Sequence, residues 1–198
     1  LKNLNTDYID LYQLHSPEHK DIINNYSLIK LLQKMKKEKI IRNIGVSVRK
    51  PNDLLKFYEY FDFDFVQLNY NIIDHRLDNL IEDGFDFSNI KVIARTPLAF
   101  GYLTGKISHK DKLEDDDHRS KWPIEQIRRW EEAVLKFDEF NQEYNLSPVL
   151  TALLFCISNP LVNVVIPGMM KSSEVNENIE VLKYEKFNKD QLKRIKEI

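Results

Sequence analysis

The sequence predicts an α/β protein built on a parallel sheet, and three observations carry that prediction. Hydrophobic spacing switches repeatedly between the period of a strand and the period of a helix. Strands alternating with helices imply parallel strands joined by right-handed crossovers, with helices lying over the sheet. No G-x-G-x-x-G follows any strand, so the dinucleotide fingerprint of a doubly wound sheet is absent and a (β/α) barrel is favoured. An eight-stranded barrel of this kind needs about 250 residues. The 198 residues hold five strand-like segments, so the expectation is one domain over residues 1–198 forming an incomplete (β/α)8 barrel, with five of the eight strands.

Each element has a local reason. "YIDLYQLH" (8–15) is the first strand, and Ile22, Tyr26, Ile29, Leu32 and Met35 then recur at helical spacing to give one amphipathic helix. That helix ends in "KMKKEK", a basic run favoured by the helix dipole and solvated rather than ligand-binding. "IRNIGVSV" (41–48) is the second strand; Pro51 opens a helix whose face carries Leu54, Leu55 and Tyr58. "FVQLNYN" (65–71) is the third strand, followed by a helix near 74–82. "KVIARTPLAF" (91–100) and "VNVVIPGM" (162–169) are the fourth and fifth strands. Between these two, a polar loop (106–123) leads to a helix lined by Ile124, Ile127, Trp130, Val134, Phe137 and Phe140. Ser147 and Pro148 are placed as N-cap and first-turn residues of a second helix, and helices near 173–182 and 188–198 follow.

Composition removes several function classes. A net charge of −2 with dispersed lysines argues against neutralising the phosphates of a nucleic acid. The single cysteine, Cys156, cannot form an internal disulfide, which fits a reducing, cytoplasmic setting. The longest apolar run, "VLTALLFCI", is far shorter than the roughly 18 to 20 residues that span a bilayer, so no membrane association is expected. His15 and His19 fall across Ser16-Pro17 rather than along one helix face, so no metal site is expected.

In either parallel architecture ligands bind at the carboxyl ends of the strands. His15, Ser47, Gln67, Asn69 and Arg95 all stand at or near such ends. One alone reads as a polar side chain satisfied by nearby backbone, whereas five together suggest a site. A serine, an amide and an arginine can hold and stack on a planar amide-bearing ring, and a histidine can polarise a carbonyl. The last strand runs into Gly168, Lys171, two serines and a helix start, where free N–H groups beside a lysine would suit a phosphate or an adenosine. An ordinary capped βα turn explains the same residues.

Taken in order, "LNTDYIDLYQLHSP", "KIIRNIGVSV", "VQLNYNIIDHR", "VIARTPLAFGYLTGK" and "VIPGMMKSSEVNENI" resemble the aldo-keto reductase family, NAD(P)H-dependent carbonyl reductases on a (β/α)8 barrel. The resemblance implies that His15 orients and polarises the substrate carbonyl, that Ser47 and Gln67 hold the nicotinamide carboxamide, and that Arg95 stacks on the nicotinamide ring where many members use tyrosine. It further implies that Thr96, Pro97, Leu98, Gly101, Leu103, Gly105 and Lys106 belong to the loop wrapping the pyrophosphate, that "DDDHRSKW" is the loop after it, and that Glu177 and Asn178 contact the adenine. Val48 departs from the asparagine of many members. Near the adenosine ribose, Met170 and Glu174 stand where NADPH-preferring members often carry arginine, leaving Lys171 as the nearby positive charge. A carboxylate there repels a 2′-phosphate, which opens NADH use or weak cofactor binding beside the NADPH of many members; the cofactor expected is NADP(H) or NAD(H).

The family's proton-donating tyrosine, with its lysine and aspartate, lies before the histidine strand, and none of Tyr8, Tyr12 or Tyr26 has that context. Two expectations follow. The favoured one is the C-terminal portion of an enzyme that passes the pro-R hydride to an aldehyde or ketone, its first three strands supplied by the same or another chain. The other is a truncated, non-catalytic barrel that binds nucleotide or a protein partner.

Overall fold

The computed structural model describes residues 1–111 and 113–198; the side chain of His118, within "DDDHRSKW", lies outside the described residues. The chain forms two compact units, Leu1–Asn69 with Arg76–Ala94, and Tyr70–His75 with Arg95–Ile198. All five expected strands are present, each close to its expected place.

In the first unit, β1 (Ile9–Leu14), β2 (Ile41–Ser47), β3 (Phe65–Asn69) and β4 (Lys91–Arg95) lie side by side in chain order, with only Arg95 assigned to the second unit. β1 pairs with β2, and β2 with β3, in parallel; Leu14 stands beside Val46 and Ser47 beside Gln67. Helices α1 (His19–Asn24), α2 (Tyr26–Lys37), α3 (Asp53–Tyr58) and α4 (Leu77–Glu82) fill the crossovers. Ile41, Ile44, Val46, Val66, Leu68 and Val92 are buried with Ile29, Leu32, Leu54 and Phe57 from the helices. A strand covered on both faces reads as a nearly continuous apolar run, and β2 is that strand. β1 differs: none of its six residues is buried, and Tyr12 is 41% exposed.

The single helix expected over 22–35 is broken. Asn25, with φ −119° and ψ 46°, separates α1 from α2, and its side-chain amide donates to the Asp21 carbonyl at 2.8 Å. The break turns Tyr26 out to 60% exposure while Ile22, Ile29 and Leu32 remain buried. The fourth strand also stops early, at Arg95 rather than residue 100. Thr96 has a positive φ of 53°, and Pro97 has no N–H to give a ladder.

In the second unit, α5 (Ile124–Lys136) and α6 (Asp138–Glu143) replace the one helix expected over 124–140. Helix α7 (Pro148–Ser158) begins as expected, with Ser147 Oγ accepting from the Leu150 N–H at 3.2 Å and proline in the first turn. Residues Val149 to Cys156 are all buried, so α7 is the central helix of this unit; its apolar run makes a core. It packs on β5 (Val162–Ile166), α8 (Ser172–Glu180) and the 3-10 segment Ala99–Thr104. Tyr70 stacks on Phe155 at 5.3 Å, its hydroxyl accepts from Asn159 at 2.8 Å, and its carbonyl accepts from the Cys156 thiol at 3.3 Å. Complete burial pushes that thiol well above its ordinary pKa, so Cys156 is a core residue and no nucleophile. The chain closes with α9 (Lys189–Glu197), capped by Asn188. Among the described residues, no helix is long and apolar enough to cross a membrane.

Candidate active site

In the first unit the strand ends place His15, Ser47 and Gln67 on one rim. His15 follows the last residue of β1 and is exposed. Gln67 is half-buried beside Ser47, and its carbonyl accepts from the Val48 N–H at 2.9 Å. Ser47 is fully buried. Its Oγ accepts from the Ser16 N–H at 2.7 Å, lies 3.2 Å from Ser16 Oγ, and is 3.5 Å from the Leu14 carbonyl. A serine expected to hold a carboxamide is thus already engaged with the turn after His15.

In the second unit Arg95 and Thr96 are half-buried, and the Thr96 hydroxyl donates to the Arg95 carbonyl at 2.7 Å. The segment from Thr96 to Lys106 is two tight turns. Gly101 and Gly105 take positive φ values of 98° and 68° that glycine adopts without strain. Pro97, Leu98 and Leu103 bury their side chains, so any contact they make to a ligand runs through backbone. Several N–H groups are spent internally: Gly101 and Leu103 on the Leu98 carbonyl, Gly105 on that of Tyr102, and Lys106 on Thr104 Oγ1.

Two stretches expected to touch the cofactor meet directly. Lys106 Nζ donates to both oxygens of Glu177, at 2.8 and 2.7 Å. Asn178, the next residue, is buried with its side-chain nitrogen lacking a partner among the described residues. At the helix start expected to offer free N–H groups, two N–H groups just ahead of α8 are already engaged. Glu174, at the third position of α8, accepts from the N–H groups of Met170 at 2.6 Å and Lys171 at 3.2 Å. The Met170 N–H above all, then that of Lys171 and the charges of Lys171 and Lys106, hold its carboxyl below the ordinary range. Lys106 therefore joins Lys171 as a positive charge beside Glu174 and Glu177, a pairing that sequence distance hid. Gly168 is open, with nothing within 4 Å of where a Cβ would stand.

Other pairs went unread in the sequence. His109 donates its N–H to Glu131 on α5 and sets Nδ1 2.6 Å from the same carboxylate. Burial pushes the Glu131 carboxyl up, and the His109 bonds pull it to a net position below its usual range. Arg119 binds Asp117 and donates to the Phe100 carbonyl at 3.1 Å. Phe100, Tyr102, Trp122 and Trp130 pack beside it, with Trp122 and Trp130 edge-on at 5.1 Å. Aromatic clustering was the signal available for these.

The parallel α/β order and the strand-end rim of the first unit fit the class of protein to which the chain's motifs point. The model of the Aldo/keto reductase family matches residues 1–198, and the chain belongs to that family. It is 26% identical over 203 residues to "Aldo-keto reductase yakc [NADP(+)]" of Schizosaccharomyces pombe, covering 100% of this chain and 59% of that one. It is 23% identical over 192 residues to the "NADH-specific methylglyoxal reductase" of Escherichia coli, covering 92% and 56%. The glycerol dehydrogenase AKR11B4 from Gluconobacter oxydans has the same fold, with a TM-score of 0.80 at 24% identity over 99% of this chain and 60% of that one. The chain spans about three-fifths of the length of the curated relatives it matches.

Proposed function

We propose that this chain carries the histidine and the cofactor-holding part of an NAD(P)H-dependent aldo-keto reductase that reduces an aldehyde or ketone to an alcohol. The observation carrying the reading is the family match over the whole chain, together with an exposed His15 at the carboxyl end of a parallel strand. His15 donates a hydrogen bond to the carbonyl oxygen and orients it. Gln67 holds the carboxamide and Arg95 the ring face. Nicotinamide, when bound, supplies the hydride. Tyrosine, lysine and aspartate for proton donation come from residues outside these 198, in the same or another chain. Exposed apolar side chains at Tyr12 on β1, at Val175 and Ile179 on α8, and at Leu182 in the 3-10 turn after it support such neighbouring residues.

The orphan amide nitrogen of Asn178 suits an adenine ring nitrogen, and Glu177 suits the adenine amino group once Lys106 is displaced. Glu174 faces two lysines, so the adenosine end is close to neutral, which favours NADH over NADPH. Titration of each cofactor, followed by nicotinamide fluorescence, tests this. NADH is expected to bind at least several-fold tighter, with Glu174→Arg reversing the order; binding of neither would defeat the reading.

A further inference from the structure

Ser47 has no room for the role that its place in the motif implies. A hydroxyl offers one donor and two acceptor positions. Here one acceptor position takes the Ser16 N–H at 2.7 Å, and the remaining capacity faces Ser16 Oγ at 3.2 Å and the Leu14 carbonyl at 3.5 Å. The residue is 0% exposed, so no ligand reaches it without rearrangement. What it holds is informative. Leu14, His15 and Ser16 are consecutive, and Ser47 grips the residues on either side of the exposed histidine. Ser16 adopts φ 43°, a left-handed conformation that a serine does not hold unaided. Such local strain persists where surrounding bonds over-determine it, and it fixes the direction of the neighbouring side chain.

We propose that Ser47 is a positioning residue for His15. From the end of β2 its hydroxyl fastens the turn that ends β1, and the turn sets where the imidazole points. The next strand thus supplies the hydrogen bond that orients the catalytic group. The inference rests on the reading of His15 as the carbonyl-polarising residue.

Ser47→Ala tests it, with Ser16→Ala as its partner variant, because Ser16→Ala keeps the backbone N–H that Ser47 grips. Two readouts are needed: the imidazole signals of His15 by NMR in this chain, and kcat with cofactor affinity in the full-length enzyme. The expected result for Ser47→Ala is shifted or broadened His15 signals, kcat lowered at least tenfold, and NADH and NADPH affinities within twofold of the parent. Ser16→Ala should stay close to the parent on all counts. If Ser47→Ala does not fold, Ser47→Cys preserves the volume with a poor acceptor and should give the same pattern. Unmoved His15 signals with cofactor affinity lowered tenfold or more would overturn the proposal and return Ser47 to the carboxamide. A His15→Ala enzyme with undiminished kcat would instead sink the role of His15, while the NMR comparison would still decide what Ser47 holds.

Discussion

At the amino end of β3, Asp64 binds Lys36 Nζ through both oxygens at 2.6 Å and accepts the Ile44 N–H at 2.8 Å. At the carboxyl end of β2, Ser47 binds the turn after His15 at 2.7 Å. Both side chains tie one element to the next through a buried or half-buried bond. Only the second bond ends beside an exposed, chemically competent group. In parallel α/β proteins the amino ends of strands serve stability and the carboxyl ends serve chemistry, and in this unit one kind of fastening serves both. The difference lies in what the fastening holds, a lysine and a strand amide on one side and a histidine turn on the other.

The sharpest way to break this comparison is at Asp64. Asp64→Ala removes the ion pair and leaves the N–H of buried Ile44 without its side-chain acceptor, a loss of about 3 kcal/mol. Asp64→Asn keeps an acceptor for that N–H and loses only the partly exposed ion pair, about 1 kcal/mol. Denaturant midpoints measure both. Cofactor binding should not change in either, and a loss of nicotinamide affinity in Asp64→Asn would show that the two ends are not separable.

Gly45 lies between the two ends. A Cβ there would stand 3.0 Å from Leu11 Cδ1 and 3.3 Å from the Phe65 carbonyl oxygen. The leucine can yield, but the carbonyl belongs to the paired strand. Gly45→Ala should therefore cost about 2 kcal/mol through overpacking. Because β2 carries Ser47 two residues later, the His15 NMR signals should move in this variant too. Destabilisation without such movement would mean that the carboxyl end holds itself independently of the strand below.

How much of this the sequence disclosed follows from the range of each interaction. Strand and helix identity is local, so all five strands and the Ser147-Pro148 helix start were legible. The breaks at Asn25 and Phe137 were not, because Ile22 and Ile29, or Val134 and Phe140, keep a helical rhythm across them. In the first unit the strand ends carry His15 and Gln67, since a motif's position along a strand fixes its end of the sheet. Lys106 with Glu177, 71 residues apart, and Lys36 with Asp64, 28 apart, were hidden because charge partners at such distances are set by the fold alone. Ser47 was legible as a strand-end residue, whereas its bond to the Ser16 N–H was not, since spacing does not report which partner a hydroxyl takes.

The smallest expected effect comes from a third fastening, at the start of α8, where Glu174 accepts the Met170 and Lys171 N–H groups. Its carboxyl sits below the ordinary value of 4.5, through the Met170 N–H first and the neighbouring lysines after it. A depressed folded pKa stabilises the folded state above the unfolded value, and that contribution disappears as the pH falls through the folded one. Between neutral pH and 4.5 the cap should therefore be constant, and it should weaken only in more acidic solution. Amide exchange at Met170 and Lys171 reads this directly: protection should drop below that range in the parent and be low at every pH in Glu174→Ala. Because the site is exposed, global stability should barely follow. Protection lost already near neutral pH would place the anchor elsewhere, with Lys106 and Glu177 the next pair to test.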